Sequence, residues 1–414
     1  IQNMKNRLIL IIISLSIVSC TNEKRIIEKI EFNNEYKFNS ELENKILSDT
    51  TTNPHFKGYK HQIGASDYAK NGDYKNALIQ MDLAMGTREK NFTKPQIDSI
   101  NLKYSKVKAV DYIIEQAKNN QVVIINEAHH NSFHRVFTKS LLKELHDNGY
   151  TNLGLEALSN KDSLNLSLNN RKYPVKENGY YTEEPQFGNL IRDALEIGYN
   201  LFAYDNMKVG SGKLREIGQA KNIQKMIEKR PNEKFLIHCG FAHAYEGNYP
   251  SWEKAMAGRL TEYTGINPFT INQTIYTEKS KSEYNHPLLK SLNLTESSIL
   301  LEKNNEPYKY ERGESWTDVA VFHPNTEYIN NRPKWLFENG NKNVPIELKE
   351  IDIPFPVMIF AFKKGENINN AIPIDIYEIE NKSIVPHLAL PKGKYEIVVV
   401  NKENNARKFE MEVE

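Results

Sequence analysis

Glu127, His129, His130 and His134 place four ionisable side chains in eight positions, directly after an apolar run. A water-soluble core has no need of such a cluster, whereas proton transfer and metal binding do. Other apolar runs also end in chemistry-bearing residues: Glu156, Asp205, His238 and His323, with His243 in the loop after His238. If these are strand ends on one edge of a sheet, they converge, and His134 and Arg215 at helix starts share that edge. A histidine held by a carboxylate takes a proton from water near neutral pH. His129 or His130 would be that base, Glu127 and Glu156 would orient it, and Arg215 would stabilise a developing oxyanion. The candidate catalytic set is Glu127, His129, His130, Glu156, Arg215 and His243. A metal variant would draw on His129, His130, Glu156, His238 and His243, although no compact His-Glu-x-x-His signature is present. Each residue alone has a plainer reading, because a strand-end carboxylate often caps a helix and a lone histidine is usually structural. Cys239 reads as a small buried hydrophobe rather than a nucleophile.

The elements that must position these residues follow from hydrophobic period. From residue 121 onward strands alternate with helices, which predicts an α/β domain with a mostly parallel sheet and flanking helices. Strands are expected at 122–126, 152–156, 200–205, 234–238, 269–276 and 318–323. In open sheets of this kind the binding crevice lies beyond the carboxyl ends of the strands. A helix capped by Asn131 or Ser132 carries Phe133, Val136, Phe137, Leu141 and Leu145 on one stripe. A second helix carries Leu214, Ile217, Ala220, Ile223 and Ile227, and a third covers 251–263. The polar, turn-rich segment 159–188, with Tyr173, Tyr180 and Tyr181, reads as an insertion over the sheet edge.

Outside 119–337 the character changes. Lys5 and Arg7 precede an apolar run from Leu8 to Val18 that ends in Ile17-Val18-Ser19-Cys20. The pattern predicts a signal peptide over 1–19 and lipidation of Cys20, hence a membrane-anchored lipoprotein of the bacterial cell envelope. Residues 20–55 read as a polar tether. In 56–118, Ala65, Tyr68, Ala77, Met81 and Ala84 stand at tetratricopeptide-like spacings around an Asn71-Gly72-Asp73 turn. That helix pair is expected to pack on helices of about 94–118 as a collar. Residues 338–414 alternate strands and turns without a good helix, which predicts a small β-sandwich with an exposed-edge strand after Pro391-Lys392-Gly393. With 54 basic against 53 acidic residues, nothing marks a nucleic-acid binder. Only two cysteines are present, so with Cys20 lipidated no intrachain disulfide forms. Phosphate-binding and dinucleotide glycine motifs are absent.

The motifs also carry a resemblance. Glu127-Ala128-His129-His130 followed by His134 is similar to the opening motif of the erythromycin-esterase-like and ChaN-like superfamily, which includes TraB and Tiki relatives. The esterase pattern Gly-Glu-x-x-His selects His130, the ChaN-like pattern Gly-Glu-x-His selects His129, and Asn126 replaces the glycine of both. Leu153-Gly154-Leu155-Glu156 looks like the second-strand glutamate. Arg215-Glu216 with Gln219, Ala220 and Asn222 resembles the esterases' helix, and His238 to His243 the late histidine loop. The resemblance covers about 120–325. It implies either hydrolysis of a small-molecule substrate at a His/Glu site, with or without a divalent metal, or haem binding in a lipoprotein. An inactive scaffold that meets protein partners through its helical and β modules is a third reading.

Overall fold

The computed structural model of the protein describes residues 25–50, 58–207, 210 and 212–414. The expected signal peptide and Cys20 lie outside the described residues. Among those described, no helix is long and apolar enough to cross a membrane.

The centre is a six-stranded sheet whose strands are β1 (Val122–Glu127), β2 (Tyr150–Leu155), β3 (Asn200–Ala203), β4 (Lys234–Gly240), β5 (Phe269–Asn272) and β6 (Val319–Ala320). Their order is β6-β5-β1-β4-β2-β3, and every neighbouring pair is parallel. The unbroken apolar run of β1 follows from this position, since a central parallel strand is covered on both faces. Val123 and Ile125 join Phe137, Leu141, Leu190 and Ile113 on one face. Val122 and Ile124 join Ala220, Ile223, Met256 and Leu260 on the other. The helices Ala109–Ala117, Phe133–Asp147 and Pro185–Ile197 therefore cover one side, and Lys213–Lys229 and Met256–Thr264 the other. The chain runs from β1 out to β2 and β3, returns to insert β4 between β1 and β2, then crosses β1 to β5. Three strand ends loaded with chemistry thus become neighbours.

Strands β5 and β6 are shorter than the expected 269–276 and 318–323, because the chain turns away to build loops around Gln273 and His323. The 159–188 segment folds as the helix Asp162–Arg171 and two short turns, Lys176–Asn178 and Tyr181–Glu183. Asn169 hydrogen-bonds both backbone groups of Leu201, which closes the open edge of β3.

The flanking regions differ more from expectation. The helix pair forms as Tyr59–Lys70 and Tyr74–Met85, with Gly72 at φ 74° in the turn. It does not pack on 94–118. That stretch is divided by the strand Tyr104–Lys108, which pairs antiparallel with Ser298–Glu302. The pair instead buries Tyr68, Ala69 and Ala77 against Leu42 and Ile46 of the helix Asn39–Ser48, and Tyr74 against Trp335. The described part of the expected tether, 25–50, is therefore structural. Its strand Glu28–Ile30 pairs with Ala406–Val413 at the end of a five-stranded antiparallel sheet. In that sheet Gly393–Asn401 is an inner strand between Ala406–Val413 and Val357–Lys363, not the exposed edge that its lysine-rich turn suggested. The two-stranded ribbon Lys342–Pro345 with His387–Leu390 contributes to the core on one face. Phe32, Tyr36 and Phe38 cover the other.

The Phe32 ring lies 5.5 Å from Phe360 and 6.1 Å from Phe362, so Phe32→Ala should cost about 3–5 kcal/mol, the range for emptying a buried phenylalanine site. Urea unfolding followed by fluorescence checks it. An unshifted midpoint would mean that the segment is a tether after all.

Candidate active site

β1 delivers Glu127 to the carboxyl edge of the sheet, where the side chain is 2% exposed. A buried carboxylate stays ionised only if paired. Arg135, in the first turns of the Phe133–Asp147 helix, donates Nε to Oε2 at 2.6 Å and Nη2 to Oε1 at 2.7 Å. Its Nη1 donates to Glu184 at 2.9 Å. Burial pushes the Glu127 carboxyl up, but the Arg135 charge and the hydrogen bonds from Arg135 and His129 hold it well below the usual range. Glu184 in turn caps the Pro185–Ile197 helix, accepting the Gln186 and Phe187 amides and the Tyr74 hydroxyl.

His129 sits in the middle. Its Nδ1 is 2.9 Å from Glu127 Oε1, its ring is stacked on Tyr181 at 4.0 Å, and Phe241 meets its edge at 5.1 Å. Of the candidate histidines it is the accessible one, with 19% of its side chain exposed. It lies over Gly240, the last residue of β4: a Cβ there would come within 2.5 Å of His129 Cε1 and 2.7 Å of Nε2. The same point lies 3.4 Å from Glu156 Oε2, so the His129 ring and Glu156 both close on the glycine. Only a residue without a side chain fits this approach. Phe241 follows at φ 34°, a left-handed backbone that non-glycine residues seldom adopt.

Glu156, just past β2, accepts the Gly240 amide at 2.6 Å and Arg215 Nη2 at 2.5 Å, and lies 3.3 Å from His243 Nε2. Arg215 also grips Asp205, past the end of β3, at 2.8 and 2.9 Å. Burial pushes the Glu156 carboxyl up, but His243 and then Arg215 hold it well below its usual value. His243 bridges Glu156 and Glu216, the latter 2.8 Å from Nδ1, with Trp252 stacked on its ring. Burial disfavours its charge, yet the two carboxylates raise its pKa to about 10.

The strand-end candidates Glu127, Glu156, His238 and His243 are therefore brought together with His129 and Arg215. His238 lies 3.7 Å from Glu127 Oε2, and burial lowers its pKa to about 4. His130 leaves β1 in another direction, with Nδ1 buried and unpartnered, and burial lowers it to about 3. His134 accepts the Ala128 amide, and His323 holds Ser297 and Gln273. Neither reaches the Glu127–Glu156 centre, so their place on the same edge does not make them part of it. Cys239 is buried with its thiol pushed up by burial, which fits the hydrophobe reading. Arg135, Glu184 and the role of Tyr181 escaped sequence reasoning. The available signal for Arg135 was an arginine in the first turns of a helix whose residues there are otherwise apolar, hydroxyl or histidine.

The proposed metal donors do not form a cradle. Among the described residues no group of three or more His, Cys, Asp or Glu is placed to hold an ion. Both nitrogens of His243 face carboxylates, and the Glu156 oxygens are taken by Arg215 and the Gly240 amide. For haem, Nδ1 of His129 is given to Glu127, both nitrogens of His243 face carboxylates, and the unpartnered Nδ1 of His130 is buried.

A cavity of about 680 Å³ opens on this centre, with His129 and His130 in its lining.

No family model and no curated protein matches the chain. Among solved structures it is similar to the type III effector HopBA1, at 14% identity and TM-score 0.32, covering 45% of this chain and 95% of that one. It is also similar to RRSP, a MARTX toxin effector domain from Vibrio vulnificus CMCP6, at 16% identity and TM-score 0.31, covering 59% and 48%. The chain thus spans nearly all of the first and about half of the second. At these scores the likeness assigns neither fold nor activity.

Because its pKa is raised, His243 stabilises the fold fully below the unfolded value of 6.5, and the contribution is lost as pH rises through about 10. Imidazole NMR should show His243 charged at about pH 8, where His130, His238 and His323 are neutral. His243→Gln should lose more stability near neutral pH than above about pH 10. A neutral His243 at about pH 8 would refute the carboxylate clamp.

Proposed function

We propose that this chain is a hydrolase of the erythromycin-esterase-like and ChaN-like superfamily, lipid-anchored at Cys20 in the bacterial cell envelope, with a helical pair and a β module attached to its α/β domain. One observation carries the catalytic reading. His129 is a partly exposed imidazole in the lining of a cavity, held by one buried carboxylate and near a second.

The chemistry follows from who holds which proton. Glu127, kept ionised by Arg135, accepts the Nδ1 proton of His129 and so leaves Nε2 as the basic nitrogen. Water in the cavity that His129 lines gives its proton to Nε2 while its oxygen attacks an acyl carbon, and the same proton later passes to the leaving group. Arg215 and protonated His243 keep Glu156 ionised, and Asp205 and Glu216 take their remaining charge, which leaves Arg215 in a positioning role rather than on an oxyanion. Tyr181 and Phe241 hold the imidazole plane, which limits the orientations it must search.

The purified protein should hydrolyse members of a panel of chromogenic esters, lactones and peptide amides. His129→Ala should lower turnover by about 10²–10⁴, the usual cost of losing a general base, with folding intact by circular dichroism. His130→Ala should stay within about tenfold of the parent, because loss of a group outside proton transfer spares that term. Near-normal turnover in both would remove the acid–base mechanism. A Soret band in the purified protein would favour haem carriage, and a chain inert on the whole panel a scaffold.

The anchor rests on the Lys5/Arg7 start, the apolar run and the Ile17-Val18-Ser19-Cys20 ending. Cys20→Ser should move the protein to the soluble fraction or stall its processing, since a multiply acylated cysteine is what holds such a protein on the bilayer. Unchanged fractionation together with an unchanged intact mass would reject it.

A further inference from the structure

Three of the parts of the chain that line the cavity beside His129 agree in character. Tyr59, Ile63, Met81 and Met85 come from the helical pair and form one wall. Methionines suit a wall that adapts to an irregular apolar body. Tyr180 and Tyr181 come from the 159–188 segment, and Tyr245 and Tyr249 from the loops after β4. Aromatic faces of this kind favour flat, apolar ligand surfaces. A volume of about 680 Å³ lies within the range of small-molecule sites.

Charge adds the second constraint. Among the described residues no aspartate or glutamate lines the cavity, whereas Lys279 and Arg312 do. Lys279 already has an acidic partner, Asp82, at 3.6 Å. Arg312 does not. It donates Nη1 to the Tyr249 hydroxyl at 3.2 Å and lies 5.6 Å from that ring's centroid. Among the described residues it has no carboxylate within ion-pair distance. Resting on aromatic surface, it keeps donors free for a planar anionic group.

The helical pair is also tied to the residues that hold His129. The Tyr180 hydroxyl donates to Asp67 at 2.6 Å, and Lys70 pairs with Glu183 at 2.7 Å. Asp67 and Lys70 belong to the first helix of the pair, and Tyr180 and Glu183 flank Tyr181, which stacks on His129. The wall is therefore registered to the catalytic histidine rather than resting loosely beside it.

Resting on the hydrolase reading of this site, we propose that its substrate is a bulky apolar molecule carrying one anionic group, the anion meeting Arg312 and the apolar body lying on the helical pair. The helical pair is thereby a specificity element.

Binding tests this independently of turnover. The probes are pyrenebutyrate and its uncharged primary amide, titrated into the full chain by fluorescence. The carboxylate should bind about tenfold tighter, as expected for a charge-assisted hydrogen-bonded pair. Arg312→Gln, at an exposed position, should bring the two affinities within about twofold while leaving amide binding in place. Met85→Gln, also exposed, should weaken both probes by a similar factor, because it places an uncharged polar group in the apolar wall. His129→Ala should leave the carboxylate preference intact, so failure of the hydrolase reading and failure of this one are read separately. Equal affinity for the two probes, a preference that survives Arg312→Gln, or no binding of either probe overturns the proposal.

Discussion

Two carboxylates, Glu127 and Glu156, lie buried on either side of the β4 strand end, and each stays ionised there through positive partners, Arg135 for Glu127 and His243 with Arg215 for Glu156. Isolated burial of such a charge costs several kcal/mol even after relaxation, by the usual order of magnitude. Arg135 removes that cost for Glu127 in a forked geometry that lysine does not reproduce, while Arg215 forks on Asp205 and gives Glu156 one hydrogen bond beside His243. Because removing one member of a buried pair leaves the other uncompensated, the positions of both helices that carry these arginines become fixed relative to the sheet. Buried ion pairs are weak contributors to net stability. Their presence at one strand edge is better explained by the need for two permanently charged carboxylates on either side of an imidazole.

Topology makes that neighbourhood possible. Had β4 been added at an outer edge, Glu127 and Glu156 would have sat on adjacent strands and faced each other directly. Inserting β4 between β1 and β2 separates them by one strand and places a glycine at the gap. His129 then reaches across Gly240, bonded to one carboxylate and close to the other. The requirement for glycine here is one of space, because its own backbone angles are ordinary extended ones.

Much of this was legible in the sequence, and the limits are physical. The α/β character and the parallel sheet follow from the buried run of 122–125 and from the helical stripes after it. Strand ends declared themselves by abrupt changes from apolar to ionisable residues. The choice between His129 and His130 was not legible, since it depends on the direction in which the chain leaves β1. Arg135 was hidden because a helical period shows which face is buried but not that a charge on it has a partner. The strand Tyr104–Lys108 reads as a continuation of helix, and only its pairing with Ser298–Glu302, nearly two hundred residues away, makes it extended. Long-range pairing likewise turns the polar segment 25–50 into structure: Glu28–Ile30 has little apolar character and forms a strand because Ala406–Val413 offers it a free edge.

Glu184 is one of the residues through which the flanking modules reach the centre. It accepts Arg135 from the α/β domain and the Tyr74 hydroxyl from the helical pair, and it caps the Pro185–Ile197 helix. Further along that helix, Arg192 is locked to Glu366 of the C-terminal sheet at 2.8 and 2.5 Å, both partners buried. The helix is thus held at its start by the helical pair and along its length by the C-terminal module. Arg135 takes its position from that helix, Glu127 takes its charge state from Arg135, and His129 takes its tautomer from Glu127. A chain of buried polar contacts of this kind tolerates few alternative arrangements, because each unsatisfied member costs more than its bond contributes. The α/β region is therefore not a self-contained unit, and the placement of the His129 imidazole is tied to the helical pair and the C-terminal module through these contacts.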